Sequence, residues 1–218
     1  MRKTITRAQI QAQLHDNMTI MIGGFMATGA PEGLIDIVLE SGVKNLTLIT
    51  TDTGQPHTGS GRLISAERVA KLYASHIGTN PITGQMMNSG QLKVELVPQG
   101  TLAEKIRCAG AGLGGVLTPT GLGTVVSEGK DIVRVDGKDF LLEKPLFADL
   151  ALIRGSIVDK KGNVKYLGTT QNFNPLMATA AKTVIVEAIQ LVDVGDIEPE
   201  SIHTPSLYVD HIYQGDHL

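Results

Sequence analysis

The chain has 218 residues, of which 42% are hydrophobic and 19% charged, with a net charge of −3 and no long basic run. That balance excludes a disordered chain and gives no electrostatic footprint for nucleic acid. Cys108 is the only cysteine, no apolar stretch is long enough to span a bilayer, and the N-terminus has no apolar signal core, so the expectation is a cytoplasmic single domain over residues 1–218 with no internal disulfide and no membrane segment.

In chain order, Thr6 and Gln9 have the spacing of a capping box, which predicts a short first helix. Residues 18–22 are an unbroken apolar run and predict a buried strand. The run stops at Gly23 and Gly24, and Pro31 opens a pattern that puts Leu34, Ile35, Val38 and Leu39 on one helical face. Gly42 ends that helix. A strand that breaks into glycines and feeds a helix is a common ligand-binding turn in α/β proteins. Gly23, Gly24 and Gly29 allow close backbone approach, and the free donors at the helix start favour an oxygen anion. The same spacing also serves a tight connection that holds no ligand. It is neither a Walker loop nor Gly-x-Gly-x-x-Gly.

Residues 46–49 predict a second strand, parallel to the first through a right-handed crossover. The loop after it holds Thr51 and Asp52, with an Asx turn expected at Asp52. A helix is predicted over 62–69, a strand over 71–75 and a loop over 76–84. His76 has no local partner of the kind a catalytic base needs and reads as structural. Residues 93–97 predict a strand, followed by Pro98, Gln99 and Gly100 and a helix that begins near Thr101. Gln99 is either that helix's cap or a neutral side-chain donor. Arg107 either pairs with a ligand carboxylate or phosphate or, as helical arginines more often do, sits in solvent or a salt bridge, and Cys108 reads as a small buried residue. The Gly/Ala-rich residues 109–115 form either a wall beside a ligand or a packed turn.

The pattern then shifts to short strands, over 131–135 and 139–142, around an Asp136-Gly137 hairpin turn. Strands are predicted over 149–154, 164–167 and 183–187, with a helix from Pro175. Val209, Ile212 and Tyr213 form a terminal apolar patch, either for a partner or for the chain's own domain. The fold expected is three-layer α/β, with a mainly parallel sheet and an antiparallel β segment over 131–167.

Asp16, Asn17, Gly23, Gly24, Phe25, Gly29 and Pro31 match every fixed position of the first signature of the type I coenzyme A transferases, α subunit or N-terminal half. Residues 98–102 through Arg107, then Gly110, Gly112, Thr118, Gly121, Gly123 and Thr124, resemble a second block of the same family, and Asn172-Phe173-Asn174-Pro175 a third. The resemblance runs from Ile5 to about Ile212. Where Thr51 aligns, the family often carries asparagine, which leaves a polar role at Thr51 open.

The resemblance implies a short-chain acyl-CoA:carboxylate CoA-transferase of the acetate, butyrate or acetoacetate type. Its glutamate nucleophile lies in a Ser-Glu-Asn-Gly motif on a β subunit. No segment here reproduces that motif; Ser127-Glu128-Gly129 does not. The implied roles are oxyanion donation by Gln99 and substrate or CoA binding by Gly23, Gly24, Phe25, Met26, Gly29 and Gly100. Met26 would line a small acyl pocket or simply fill core. The implied partners are a β subunit in an α2β2 assembly, acyl-CoA and a short-chain carboxylate. Coenzyme A is then a substrate, with no permanently held cofactor and no metal. Two other readings stay open: a sugar-phosphate isomerase of related architecture, and a non-catalytic acyl-CoA-binding module.

Overall fold

The computed structural model describes residues 3–215; His217 and the other terminal residues lie outside them. Helix α1 (Arg7–Gln11) begins at the expected capping box, with Thr6 and Gln9 each satisfying the other's backbone. Strand β1 (Thr19–Ile22), helix α2 (Glu32–Ser41) and strand β2 (Leu46–Ile49) follow as predicted. Gly42 caps α2 in the left-handed region, φ 75°. Helix α3 (Gly61–Ser65) is shorter than expected, and strand β3 (Val69–Ala74) starts earlier.

Within the predicted 76–84 loop, helix α4 (Pro81–Asn88) begins instead. Asn80 caps it by accepting from the Ile82 amide at 3.1 Å, and Pro81 occupies the first turn. Strand β4 (Lys93–Leu96) leads into helix α5 (Gln99–Gly110), which starts at Gln99 rather than near Thr101.

Strands β5 (Val116–Thr118), β6 (Ile132–Val135) and β7 (Lys138–Glu143) make a separate antiparallel sheet in the order β5-β7-β6. The Asp136-Gly137 hairpin is as expected; β5 was not foreseen. Strand β8 (Ala148–Asp159) then returns to the main sheet, with β9 (Val164–Lys165) antiparallel on its end. The predicted antiparallel segment over 131–167 is thus divided: it begins earlier in the chain, at β5, and is interrupted by β8. Helix α6 (Asn174–Met177), strand β10 (Ala181–Val192) and strand β11 (His211–Tyr213) complete the chain.

The main sheet runs β11-β10-β8-β1-β2-β3-β4, and every neighbouring pair on that path is parallel. Ile20 and Ile22 pack with Leu34, Ile35 and Val38 of α2 on one face. Met21 packs with Leu102 and Ile106 of α5 and Met177 of α6 on the other. Burial on both faces explains why β1 reads as a continuous apolar run rather than an alternation. The terminal patch of Val209, Ile212 and Tyr213 is buried on the chain's own sheet through β11.

Candidate functional site

β1 has β2 on one side and β8 on the other, so connections leave it in opposite directions. The glycine turn therefore sits at the topological switch point, at the sheet edge where open α/β proteins bind ligands. Phe25 and Thr28 exchange both backbone hydrogen bonds, 3.0 and 2.9 Å, across Met26 and Ala27. Met26 and Ala27 both lie in the left-handed region, φ 49° and 64°. This is a two-residue type I′ hairpin, built without the usual asparagine or glycine. It pushes Phe25 and Met26 outward, 44% and 41% exposed. Met26 is therefore no core filler. With Thr28, Thr169 and Asn172 the pair lines an open cleft of about 460 Å³.

The turn's backbone donors are largely spoken for. The Gly23 amide donates to the Leu152 carbonyl at 3.0 Å, and the Gly24 amide to Asn172 Oδ1 at 3.1 Å. The Met26 amide donates to Asp52 Oδ2 at 2.9 Å. At the start of α2 the Leu34 amide donates to Glu187 Oε2 at 2.9 Å. The expectation of open donors for an external anion at that helix start is corrected here, because Glu187 of this chain occupies the place. Burial pushes the half-buried Glu187 carboxyl above its ordinary value, outweighing the Leu34 amide and the charge of Arg154.

The glycines have internal reasons as well. Gly24, at φ 118°, needs the freedom of glycine, and a Cβ on Gly29 would come within 2.8 Å of the Thr170 carbonyl. The loop that crowds Gly29 carries Asn172 and Asn174. Asn172 Nδ2 donates to the carbonyls of Thr28 and Thr169, both at 2.9 Å. Asn174 Nδ2 donates to those of Gly29 and Thr170, and its Oδ1 accepts from the Arg154 amide at 3.1 Å. The two asparagines thus organise this loop against the glycine turn. Thr51 and Asp52 brace the turn from beneath. The buried Thr51 hydroxyl donates to the Gly24 carbonyl, and Asp52 Oδ1 also accepts from the Gly54 amide at 2.7 Å, the expected Asx turn.

Gln99 lies at the same edge of the sheet, at the end of β4. Three strand spacings of about 4.8 Å separate β4 from β1, so the two regions stand roughly 14 Å apart at the strand ends. The Gln99 side chain is exposed and has no hydrogen-bond partner among the described residues. It does not cap α5, whose cap residue is Pro98. Gly100 lines a second cleft of about 330 Å³, with Pro98, Thr101, Glu104, Val116 and Leu117. The glycine turn and the start of α5 line different clefts on one edge. Thr101 was not anticipated; its hydroxyl resembles any helical threonine until its burial is seen. His76 is exposed just beyond β3, Arg107 pairs with Glu104 at 2.8 Å, and Cys108 is buried. No group of three or more potential metal ligands occurs among the described residues, and none of their helices is long and apolar enough to cross a membrane.

The family model described as Coenzyme A transferase matches residues 3–215. The chain is 55% identical over 210 residues to acetate CoA-transferase subunit alpha of Escherichia coli (strain K12), covering 96% of each chain. It is 53% identical over 210 residues, again 96% of each, to the acetoacetyl-CoA:acetate/butyrate CoA transferase alpha subunit of Clostridium acetobutylicum. Among solved structures, the glutaconate coenzyme A-transferase of Acidaminococcus fermentans aligns at TM-score 0.84 and 18% identity, covering 97% of this chain and 75% of that one. That likeness concerns the fold.

Proposed function

The chain belongs to the coenzyme A transferase family, and from that premise we propose that it is the α subunit of a short-chain acyl-CoA:carboxylate CoA-transferase of the acetate, butyrate or acetoacetate type. The observation that carries this reading is near-full-length identity above one half with two named transferase α subunits. Both of these relatives are named as alpha subunits, and no Ser-Glu-Asn-Gly segment occurs in the sequence; in this reading the attacking glutamate belongs to a β subunit, and the family resemblance implies an α2β2 assembly.

In the proposed reaction that glutamate attacks the acyl-CoA thioester and CoA leaves as thiolate. The resulting acyl–enzyme anhydride is opened by the thiolate at the glutamyl carbonyl, which releases the first carboxylate and leaves an enzyme–CoA thioester. The second carboxylate attacks that thioester and expels CoA thiolate, forming a new acyl–glutamyl anhydride; the thiolate then attacks the acyl carbonyl, giving the new acyl-CoA and freeing the glutamate. Each addition places negative charge on a former carbonyl oxygen, where a fixed neutral donor lowers the barrier. Gln99 supplies that donor: its amide is exposed and uncommitted at the ligand-binding edge. Phe25 and Met26 shape the acyl side, held by a turn whose backbone is fixed by Asp52, Thr51, Asn172 and Asn174. Gly23, Gly24, Gly29 and Gly100 keep the backbone thin at that edge. Coenzyme A enters as a substrate, and no cofactor is retained.

The test is reconstitution. The purified chain alone should transfer no CoA from acetoacetyl-CoA to acetate, and should do so once a β subunit bearing the glutamate motif is added. Turnover by the chain alone would refute this division of labour. Activity of the chain alone on a sugar phosphate would instead favour an isomerase.

A further inference from the structure

The turn between Phe25 and Thr28 is left-handed at both central residues, Met26 at φ 49° and Ala27 at φ 64°, yet neither is the asparagine or glycine that adopts such a turn unaided. Support comes from outside the turn. The Met26 amide donates to Asp52 Oδ2 at 2.9 Å, across 26 residues of chain. Asp52 is 4% exposed, and no cation forms an ion pair with it among the described residues. Its other oxygen accepts from the Gly54 amide at 2.7 Å. A buried carboxylate is costly unless it is bonded, and closing its own Asx turn would take the Gly54 amide alone. Asp159 shows that simpler use: it is 2% exposed and accepts from Lys161, Gly162 and Asn163 within its own turn. Asp52 instead joins two segments. Its own backbone is fixed, because its carbonyl accepts from the hydroxyls of Thr50 at 3.2 Å and Ser60 at 3.1 Å.

What this arrangement preserves is a side chain at Met26. Glycine or asparagine there would make the turn without help, but would leave no thioether on the surface. Met26 is 41% exposed and stands with Phe25 on the cleft of about 460 Å³. Methionine is flexible and apolar, so the wall it offers depends on where its backbone points it. Without the Asp52 acceptor, the two left-handed residues keep only the Phe25–Thr28 bonds, and each favours the right-handed region. The methionine then leaves the cleft wall. We propose that Asp52 is a positioning residue for acyl-chain length: through the Met26 amide it fixes the methionine wall of the cleft, and so sets how well longer acyl groups are taken relative to acetyl. A butyryl chain gains contact with that wall, whereas an acetyl group has no methylene to place there. The acyl assignment of the cleft rests on the transferase reading; the hold of Asp52 on Met26 does not.

The test is the ratio of kcat/KM for butyryl-CoA to that for acetyl-CoA, with the chain and its β subunit reconstituted. Asp52→Ala should lower that ratio by about tenfold, the order of one methylene of apolar contact. Ala27→Gly, added to Asp52→Ala, should return most of it, because glycine takes the left-handed turn without an outside acceptor and leaves Met26 in place. A role for Asp52 in stability alone would not move the ratio. Amide shifts of the full isotope-labelled chain give a readout free of turnover. In Asp52→Ala the Met26 amide should lose its hydrogen-bonded shift, while unchanged resonances in the β5-β7-β6 sheet certify that the variant is folded. A folded Asp52→Ala that keeps the parent's ratio, a fall shared equally by both substrates, or a double variant no better than Asp52→Ala overturns the proposal. A parent complex that transfers CoA from neither substrate removes the transferase reading and the acyl assignment with it; the Met26 shift then still decides whether Asp52 holds the turn.

Discussion

The side-chain amide of Asn174 stands where a β-carbon on Gly23 would have to go. The two residues are far apart in sequence and are brought together by the parallel pairing of β1 with β8. Gly23→Ala must displace Asn174 and so break its bonds to the Arg154 amide and to the carbonyls of Gly29 and Thr170. We expect a loss of about 2–4 kcal/mol, combining overpacking with orphaned polar groups. Urea denaturation measures it. A Gly23→Ala chain as stable as the parent would show that Asn174 does not hold the turn.

Gln99 gives the opposite profile. Its side chain is exposed and bonded to nothing among the described residues, so Gln99→Ala should leave the denaturation midpoint unchanged. In the reconstituted complex, kcat should nonetheless fall by about 10²–10³, the usual effect of losing one oxyanion donor. Steady-state kinetics beside a size measurement of the complex separate lost chemistry from lost assembly. Unaltered kcat would remove Gln99 from the oxyanion role.

The small sheet is tied to α5 by charge. Glu143, with a side chain 1% exposed, takes Lys105 at 2.9 Å and Lys130 at 2.6 Å. Burial alone would raise its carboxyl, but the bonds from Lys130 and Lys105 hold it below the ordinary 4.5. A depressed carboxylate contributes stability above its unfolded value and loses it as pH falls through the folded one. The acid limb of the stability curve below 4.5 should therefore flatten in Glu143→Gln. Near neutrality that variant should lose about 3–5 kcal/mol, because Lys105 is left buried without its carboxylate. Denaturation midpoints across acidic pH test both statements.

Local chemistry explains what could be read in advance. β1, α2 and β2 announced themselves through an apolar run, a helical stripe and Gly42, all signals within a few residues. α4 was missed although Asn80 and Pro81 are a cap and a first turn, because Gly84 and the polar face diluted the stripe. β5 has three residues, too few for any period to show. The site divides the same way. Gly23, Gly24, Phe25 and Asn172-Phe173-Asn174-Pro175 were visible as motifs, but their mutual bracing depends on contacts between distant segments. That Glu187 fills the start of α2, or that Thr101 is buried beside β5, follows only from the sheet order.

Glu187 should give a pH dependence of opposite sign to Glu143. Burial raises its carboxyl above 4.5, against the Leu34 amide and Arg154. A raised folded value means that stability is fully present below the unfolded value and is lost as pH rises through the folded one. The parent should therefore weaken relative to Glu187→Gln as the pH climbs above 4.5. The glutamine keeps an acceptor for Leu34, so α2 stays capped in both. A widening advantage for the parent over that interval would contradict the assignment.

The type I′ turn offers the last test, because stability and activity should move apart there. Met26 adopts φ 49° although it bears a side chain, and a left-handed conformation costs an ordinary residue about 1–2 kcal/mol. Glycine removes that cost and returns part of it through the freer unfolded chain. Met26→Gly should thus stabilise the chain by about 0.5–1 kcal/mol. The lost side chain is 41% exposed and lines the cleft with Phe25, so little core packing is given up. What disappears is the apolar contact offered to a substrate, and kcat/KM in the reconstituted complex should drop most for the longer acyl groups. Strain kept at an exposed methionine then has a reason in binding rather than in folding. Thermal denaturation and a comparison of acetyl- with butyryl-CoA decide it: a variant that is less stable, or one that loses no discrimination between the two, would show that Met26 is held left-handed for some other cause.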